Sequence, residues 1–202
     1  MTLTSAATAL ATASALLGTP VNADMGVALS LCLDTTLNIP ARAAAFEELG
    51  WSPEGDETRL REIFAAGVTL GSLDALDPST WSGTHTQAFS LSQQIVRMTA
   101  SRDALALTSP DEGAAVVLLG NANGLQVCHY FGNDPGLGRV AHILDGSILR
   151  KIGSVQRIRG DGPKSSISAH FLDDAGRAQI KPPLRYGATF MLVLDRQPGD
   201  LQ

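Results

Sequence analysis

The amino-acid sequence predicts an α+β fold, in which N-terminal helices precede an antiparallel sheet of about four to five strands that is crossed by one amphipathic helix. In the first half of the chain, apolar residues recur every three or four positions, which is typical of helices that bury one face. In the second half, short apolar runs alternate with turn residues at hairpin spacing. The 202 residues are 44% hydrophobic and 17% charged, which fits one globular domain.

Four helices are predicted in the first half of the chain. They cover residues 27–33, 40–49, 55–67 and 81–107. Pro40 suits the first turn of the second helix, where the missing N–H costs nothing. Gly67 is expected to end the third helix, and Thr84 with Gln87 has the spacing of a capping box in the fourth.

Five strands and one further helix are predicted in the second half. The strands cover residues 114–120, 124–131, 166–172, 177–181 and 188–195. Asn/Gly and Asp/Gly turns join the first four strands into two hairpins. Between the hairpins, apolar residues at every third or fourth position predict an amphipathic helix over residues 137–152.

The chain opens with a charge-free segment of small and apolar residues, 1–23, which ends in Pro20-Val21-Asn22-Ala23. This ending resembles a signal-peptidase site, although the usual Lys or Arg near the start is missing. The sequence therefore predicts a signal peptide over residues 1–23, a single α+β domain over residues 24–202, and a periplasmic or secreted protein. The alternative is a cytoplasmic protein with an ordinary N-terminal helix. No membrane span is predicted.

Cys32 and Cys128 are the two cysteines of the chain. An even number of cysteines in an exported protein predicts a disulfide, which here closes a loop of about 96 residues and stabilises by about 4–5 kcal/mol. Two separate buried thiols are the cytoplasmic alternative. Cys128 shares a strand face with Gln126 and Tyr130, opposite His129, so a disulfide would cover that face and place the strand centrally in the sheet.

Charge is distributed unevenly between the two halves of the chain. The formal net charge of −5 and the pI near 5.3 give no overall attraction to nucleic acid or to an anionic membrane. Residues 124–202, however, carry 10 basic against 7 acidic side chains. A basic cluster within them forms either a solvated face or a site for a small anionic ligand; it contains Arg150, Lys151, Arg157, Arg159 and Lys164.

A glycine motif follows the second predicted strand. Gly136, Gly138 and Ala141 match G-x-G-x-x-A, and Asp161 lies near the distance at which a ribose-binding acid is expected. A hydrolase or a nucleotide- or phosphate-binding enzyme could use this turn, with Arg139 beside the anion. A helix start capped by the preceding Asp-Pro explains the same residues, because the strand before the motif belongs to a hairpin and not to a parallel sheet.

The histidines do not form a recognisable catalytic or metal-binding motif. His85, His129, His142 and His170 are widely separated, and neither H-E-x-x-H nor G-x-S-x-G occurs. Alternation predicts that His129 faces the core, whereas His170, of opposite parity to Ile167, is expected at the surface. The sequence thus favours a binding or interaction domain over an enzyme. No cofactor or metal is predicted, and the partner is an unknown protein or a small anionic ligand.

Overall fold

A computed structural model describes residues 25–34, 36–73, 77–99, 104–120, 124–133, 148–152, 155–162 and 165–195. Its helices are α1 (Met25–Leu33), α2 (Ile39–Glu48), α3 (Glu57–Ser72), α4 (Trp81–Thr99) and α5 (Asp174–Arg177). Its strands are β1 (Ser52–Pro53), β2 (Ala104–Thr108), β3 (Ala115–Gly120), β4 (Leu125–Gly132), β5 (Ile148–Ile152), β6 (Val155–Gly162), β7 (Ser165–Leu172) and β8 (Ala188–Asp195). The predicted α+β class is confirmed.

The described strands form one antiparallel sheet in the order β1-β2-β3-β4-β8-β7-β6-β5. Helices α1 and α2 pack on one face, where Phe46 and Tyr130 belong to a common apolar core. Helices α3 and α4 pack on the other face, where Ile63 and Phe131 belong to a second core. Successive residues of a strand point to opposite faces, so each central strand contributes to both cores.

The predicted disulfide joins Cys32 of α1 to Cys128 of β4, with 5.6 Å between the two Cα atoms. Both side chains lie in the core between the sheet and helices α1 and α2, as do Gln126 and Tyr130 on the same face of β4. β4 is the fourth of eight strands, so its predicted central position is confirmed as well.

A buried arginine of α2 binds the C-terminal end of α1. The Arg42 side chain is fully buried, and its Nε and Nη2 donate to the backbone oxygens of Leu31 and Asp34 at 2.9 and 2.8 Å. Its Nη1 donates to Oε1 of Gln126 at 3.3 Å. Carbonyls in the last turn of a helix have no intrahelical partner, so this guanidinium supplies the donors that the end of α1 needs. Asn38 caps the start of α2 by accepting from the N–H of Ala41 at 2.9 Å.

Two predicted helical segments are strands in the structure. Residues 104–107, assigned from the sequence to the fourth helix, belong to β2, where Leu105 and Leu107 face one core and Ala106 faces the other. Residues 148–152 form β5, which pairs with β6, so the amphipathic helix is wrong at these positions. Residues four apart share a face in a strand as well as in a helix, which made the spacing of Ile148 and Ile152 ambiguous. Residues 137–147 of the predicted helix lie outside the described residues.

Two further predictions are corrected by the helices of the structure. Residues 177–181 do not form a strand, because Asp173 accepts from the N–H of Gly176 at 2.8 Å and starts the short helix α5. β7 pairs with β6 and β8 instead. Gly67 does not end α3, which continues to Ser72.

Candidate functional site

A cavity of about 260 Å³ lies between α3 and the sheet. Its floor consists of side chains from three neighbouring strands: His129, Phe131, Ser168, His170, Thr189 and Met191. Strand register brings them together in two rows. Met191 pairs with His129 on one side and with Ser168 on the other, while Thr189 pairs with Phe131 and His170. The floor therefore joins residues that are far apart in the sequence.

Helix α3 forms the roof of the cavity through Phe64, Gly67, Val68 and Gly71. At Gly67, an added Cβ would lie 3.0 Å from Cε1 of His129 and 3.0 Å from Cε1 of Phe131. The missing side chain thus lets the helix backbone approach the two rings. One turn further along the helix, a Cβ on Gly71 would meet no atom within 4 Å, so the cavity stays open there.

The two histidines of the floor lie in an apolar setting. The His129 ring packs on Phe131, with 4.1 Å between the ring centroids. It is half-buried, because part of it borders the cavity, but burial still lowers the pKa of His129 to about 3, with a smaller contribution in the same direction from His170. His129 is therefore neutral near pH 7, with one ring nitrogen donating and the other accepting.

His170 is buried on the same face of the sheet, with only 8% of its surface exposed, so the predicted surface position is wrong. The prediction assumed that one face of β7 would meet solvent, but α3 covers part of that face as well. The core-facing assignment of His129 is confirmed, since it shares the face of Phe131.

His85 lies apart from the cavity in a structural contact between helices. Its Nδ1 is 3.2 Å from Oγ1 of Thr69, which donates to the backbone oxygen of Ala65 at 2.6 Å. Since the threonine hydrogen is used in that bond, Nδ1 of His85 is the donor to Thr69. Burial lowers the pKa of His85, so this ring is also held neutral.

The residues of the glycine motif, Gly136, Gly138 and Arg139, lie outside the described residues, as do His142 and Lys164. Of the predicted basic cluster, Arg150 and Lys151 are in β5, and Arg157 and Arg159 are in β6. The motif is thus not tested by the structure, whereas four members of the basic cluster lie in β5 and β6, the two strands at one edge of the sheet.

A second cavity, of about 200 Å³, lies between β2 and helices α3 and α4. Its lining is apolar except for Glu54, whose carboxylate is 3.7 Å from Nη1 of Arg59. Arg59 and Arg185 in turn both contact the carboxylate of Glu112, at 2.9 and 3.6 Å. The polar group of this cavity already has a charged partner, so the cavity beneath α3 is the stronger candidate.

Sequence reasoning considered His129 and His170 only as isolated histidines, and it missed Ser168, Thr189 and the roof of the cavity. The available signal was the pair Gly67 and Gly71, four residues apart on an amphipathic helix, because two glycines at that spacing leave a gap on one helix face. The register that brings the floor together is set by long-range pairing, which alternation alone does not reveal.

Among the described residues, no group of three or more His, Cys, Asp or Glu side chains is arranged to hold a metal ion. In the same part of the chain, no helix is long and apolar enough to cross a membrane. Comparisons with protein families, with curated proteins and with solved structures give no match to this chain. Fold and site together define an α+β protein with a cavity between one helix and its sheet.

Proposed function

We propose that this protein is an exported binding protein without catalytic activity, which holds a small and largely apolar ligand in the cavity beneath α3. The observation that carries the proposal is the cavity itself, in which Phe64, Phe131 and Met191 surround a few polar groups. Ligand sites are typically concave and apolar, with a small number of polar groups that orient the ligand. A cavity of about 150 Å³ already holds benzene, so 260 Å³ suits an aromatic ring with a short substituent.

Export to the periplasm or the cell exterior is supported by the disulfide between Cys32 and Cys128. Disulfides persist in oxidising compartments and are rare in the cytosol. The first described helix begins at Met25, so cleavage after Ala23 would remove none of the described helices and strands.

Processing can be tested on protein isolated from its native host. The intact mass is expected to equal that of residues 24–202, reduced by the two hydrogens lost in forming one disulfide. Mass spectrometry before and after reduction measures both quantities. A full-length chain with two free thiols would contradict export while leaving the cavity proposal unaffected.

Ligand binding can be tested with 2-phenylethanol, a neutral probe of suitable size. At ten times its Kd, it is expected to stabilise the protein by about 1.4 kcal/mol, which raises Tm by roughly 3–6 °C. Replacing Ser168 with phenylalanine places a ring in the cavity and should abolish the shift. Differential scanning calorimetry provides the measurement.

Ser166→Phe is the matched control, because Ser166 is exposed on the same face of β7 and is not among the residues that line the cavity. This variant should respond to 2-phenylethanol as the wild type does. An equal shift in Ser168→Phe would place binding elsewhere, and an unchanged wild-type Tm across a series of small aromatic alcohols would refute the proposal.

A further inference from the structure

One row of residues crosses five neighbouring strands beneath α3, namely β2, β3, β4, β8 and β7. Each residue of the row pairs directly with the next: Ala106, Val117, His129, Met191 and Ser168. Directly paired residues of an antiparallel sheet lie on the same face. Neighbouring strands are about 4.8 Å apart, so the row is about 19 Å long. It therefore extends beyond the cavity beneath α3 into the second cavity, which Ala106 and Val117 line.

Helix α3 covers this row with one of its faces. Leu60, Phe64, Gly67 and Gly71 recur every three or four residues, so they lie along one side of the helix. Leu60 lines the second cavity, whereas Gly67 and Gly71 line the cavity beneath α3. An α-helix rises about 1.5 Å per residue, so Leu60 and Gly71 are about 16 Å apart along the axis, close to the length of the row. The two cavities therefore lie end to end along α3.

Phe64 lies between the two cavities. Among the described residues that line them, it is the one that borders both. In the sheet, Val117 of the second cavity pairs directly with His129 of the first, so the two floors adjoin each other. The Phe64 side chain is half-buried and packs against the core on this face of the sheet. It is thus placed to close the cavity beneath α3 at the end nearest β3.

We infer that Phe64 sets the length of the ligand, so that the cavity accepts short amphipathic molecules and excludes their longer-chain homologues. The inference rests on the proposed function, because it concerns the ligand of the same cavity. A cavity of about 150 Å³ holds benzene, so 260 Å³ has space for about ten non-hydrogen atoms. Ser168 lies at the β7 end of the row and offers a hydroxyl group to the polar end of the ligand. The apolar chain then extends towards Phe64.

The inference is tested with 1-alkanols from 1-hexanol to 1-dodecanol, which differ only in chain length. Isothermal titration calorimetry measures each affinity, with the protein in the syringe because the longer alkanols dissolve poorly. Each further buried methylene should tighten binding to the wild type about fourfold up to 1-nonanol, which fills the cavity. 1-Dodecanol should bind at most about twofold more tightly than 1-nonanol, since its additional methylenes meet Phe64 and stay unburied.

Replacing Phe64 with alanine removes the boundary between the cavities. In this variant 1-dodecanol should bind at least about tenfold more tightly than 1-nonanol, because its additional methylenes enter the second cavity. The two affinities are compared within one protein, so a general loss of stability cancels. Phe64→Leu removes less of the side chain and should change the ratio in the same direction by a smaller factor, which keeps the test decisive if the alanine variant does not fold.

Leu60→Ala is the matched control. Leu60 lies one turn before Phe64 on α3 and lines the second cavity but not the first, so its replacement enlarges the second cavity and leaves the boundary in place. The affinity ratio should stay within about twofold of the wild-type value. A wild-type affinity that keeps rising to 1-dodecanol, an unchanged ratio in the Phe64 variants, or equal effects of Leu60→Ala and Phe64→Ala would overturn the inference and leave the proposed function intact. If the wild type binds neither 2-phenylethanol nor any of the 1-alkanols, both are overturned.

Discussion

Replacing Cys32 or Cys128 with serine is expected to lower the free energy of unfolding by about 2–5 kcal/mol, the usual loss on removing a native disulfide. The bond joins residues 96 positions apart, so the unfolded chain gains a large loop entropy when it is absent. Both cysteines are almost fully buried, at 0% and 2% exposure, so a serine hydroxyl adds a desolvation penalty. Urea unfolding under oxidising conditions measures the loss.

The double variant distinguishes the cross-link from two independent burial effects. Because each single substitution removes the same bond, the double variant should cost far less than the sum of the two single losses, and it should exceed either single loss only by the burial penalty of the second serine. Reduced wild-type protein should approach the stability of the single variants. Losses that add in the double variant would show that the two sulfurs stabilise the fold separately.

Replacing Arg42 with alanine is expected to lower the free energy of unfolding by about 3–5 kcal/mol. The substitution removes the donors to Leu31 and Asp34 at the end of α1 and leaves Gln126 without its guanidinium contact. Buried acceptors that lose a charged donor keep their full desolvation penalty, and the missing side chain also leaves a void. Urea unfolding measures this loss as well.

Two further variants separate the hydrogen-bonding role of Arg42 from its charge. Arg42→Lys keeps the charge but has no planar fork of donors, so it should recover only part of the loss. Arg97→Ala removes an exposed arginine from α4 and should change stability by less than about 0.5 kcal/mol. The assigned role would be contradicted if Arg42→Lys were as stable as the wild type, or if Arg42→Ala cost no more than Arg97→Ala.

Sequence reasoning worked where local pattern and structure depend on the same physics. Alternation in residues 124–131 predicted β4, its core-facing His129 and the opposite orientation of Cys128, because side chains of a strand must alternate between faces. The disulfide followed from cysteine number and predicted compartment. The start of α2 followed from Pro40, because the first turn is the part of a helix in which proline is well tolerated.

Sequence reasoning failed where pairing partners decided the outcome. Residues 104–107 continue a helical spacing, but as β2 they gain hydrogen bonds from β3 and burial on both faces. His170 was predicted at the surface because only one face of the sheet was expected to carry a core. The structure has a core on each face. The cavity was missed for the same reason, since His129, Ser168 and Thr189 meet only through the register of three strands.

The position of β8 has a consequence for the order in which the chain can fold. Among the described strands β8 is the last in sequence, yet it lies between β4 and β7 in the middle of the sheet. Until residues 188–195 leave the ribosome, strands β1–β4 and β5–β7 have no direct pairing with each other. The two parts of the sheet can therefore join, and the cavity floor can form, only once residues 188–195 are available to pair with both β4 and β7.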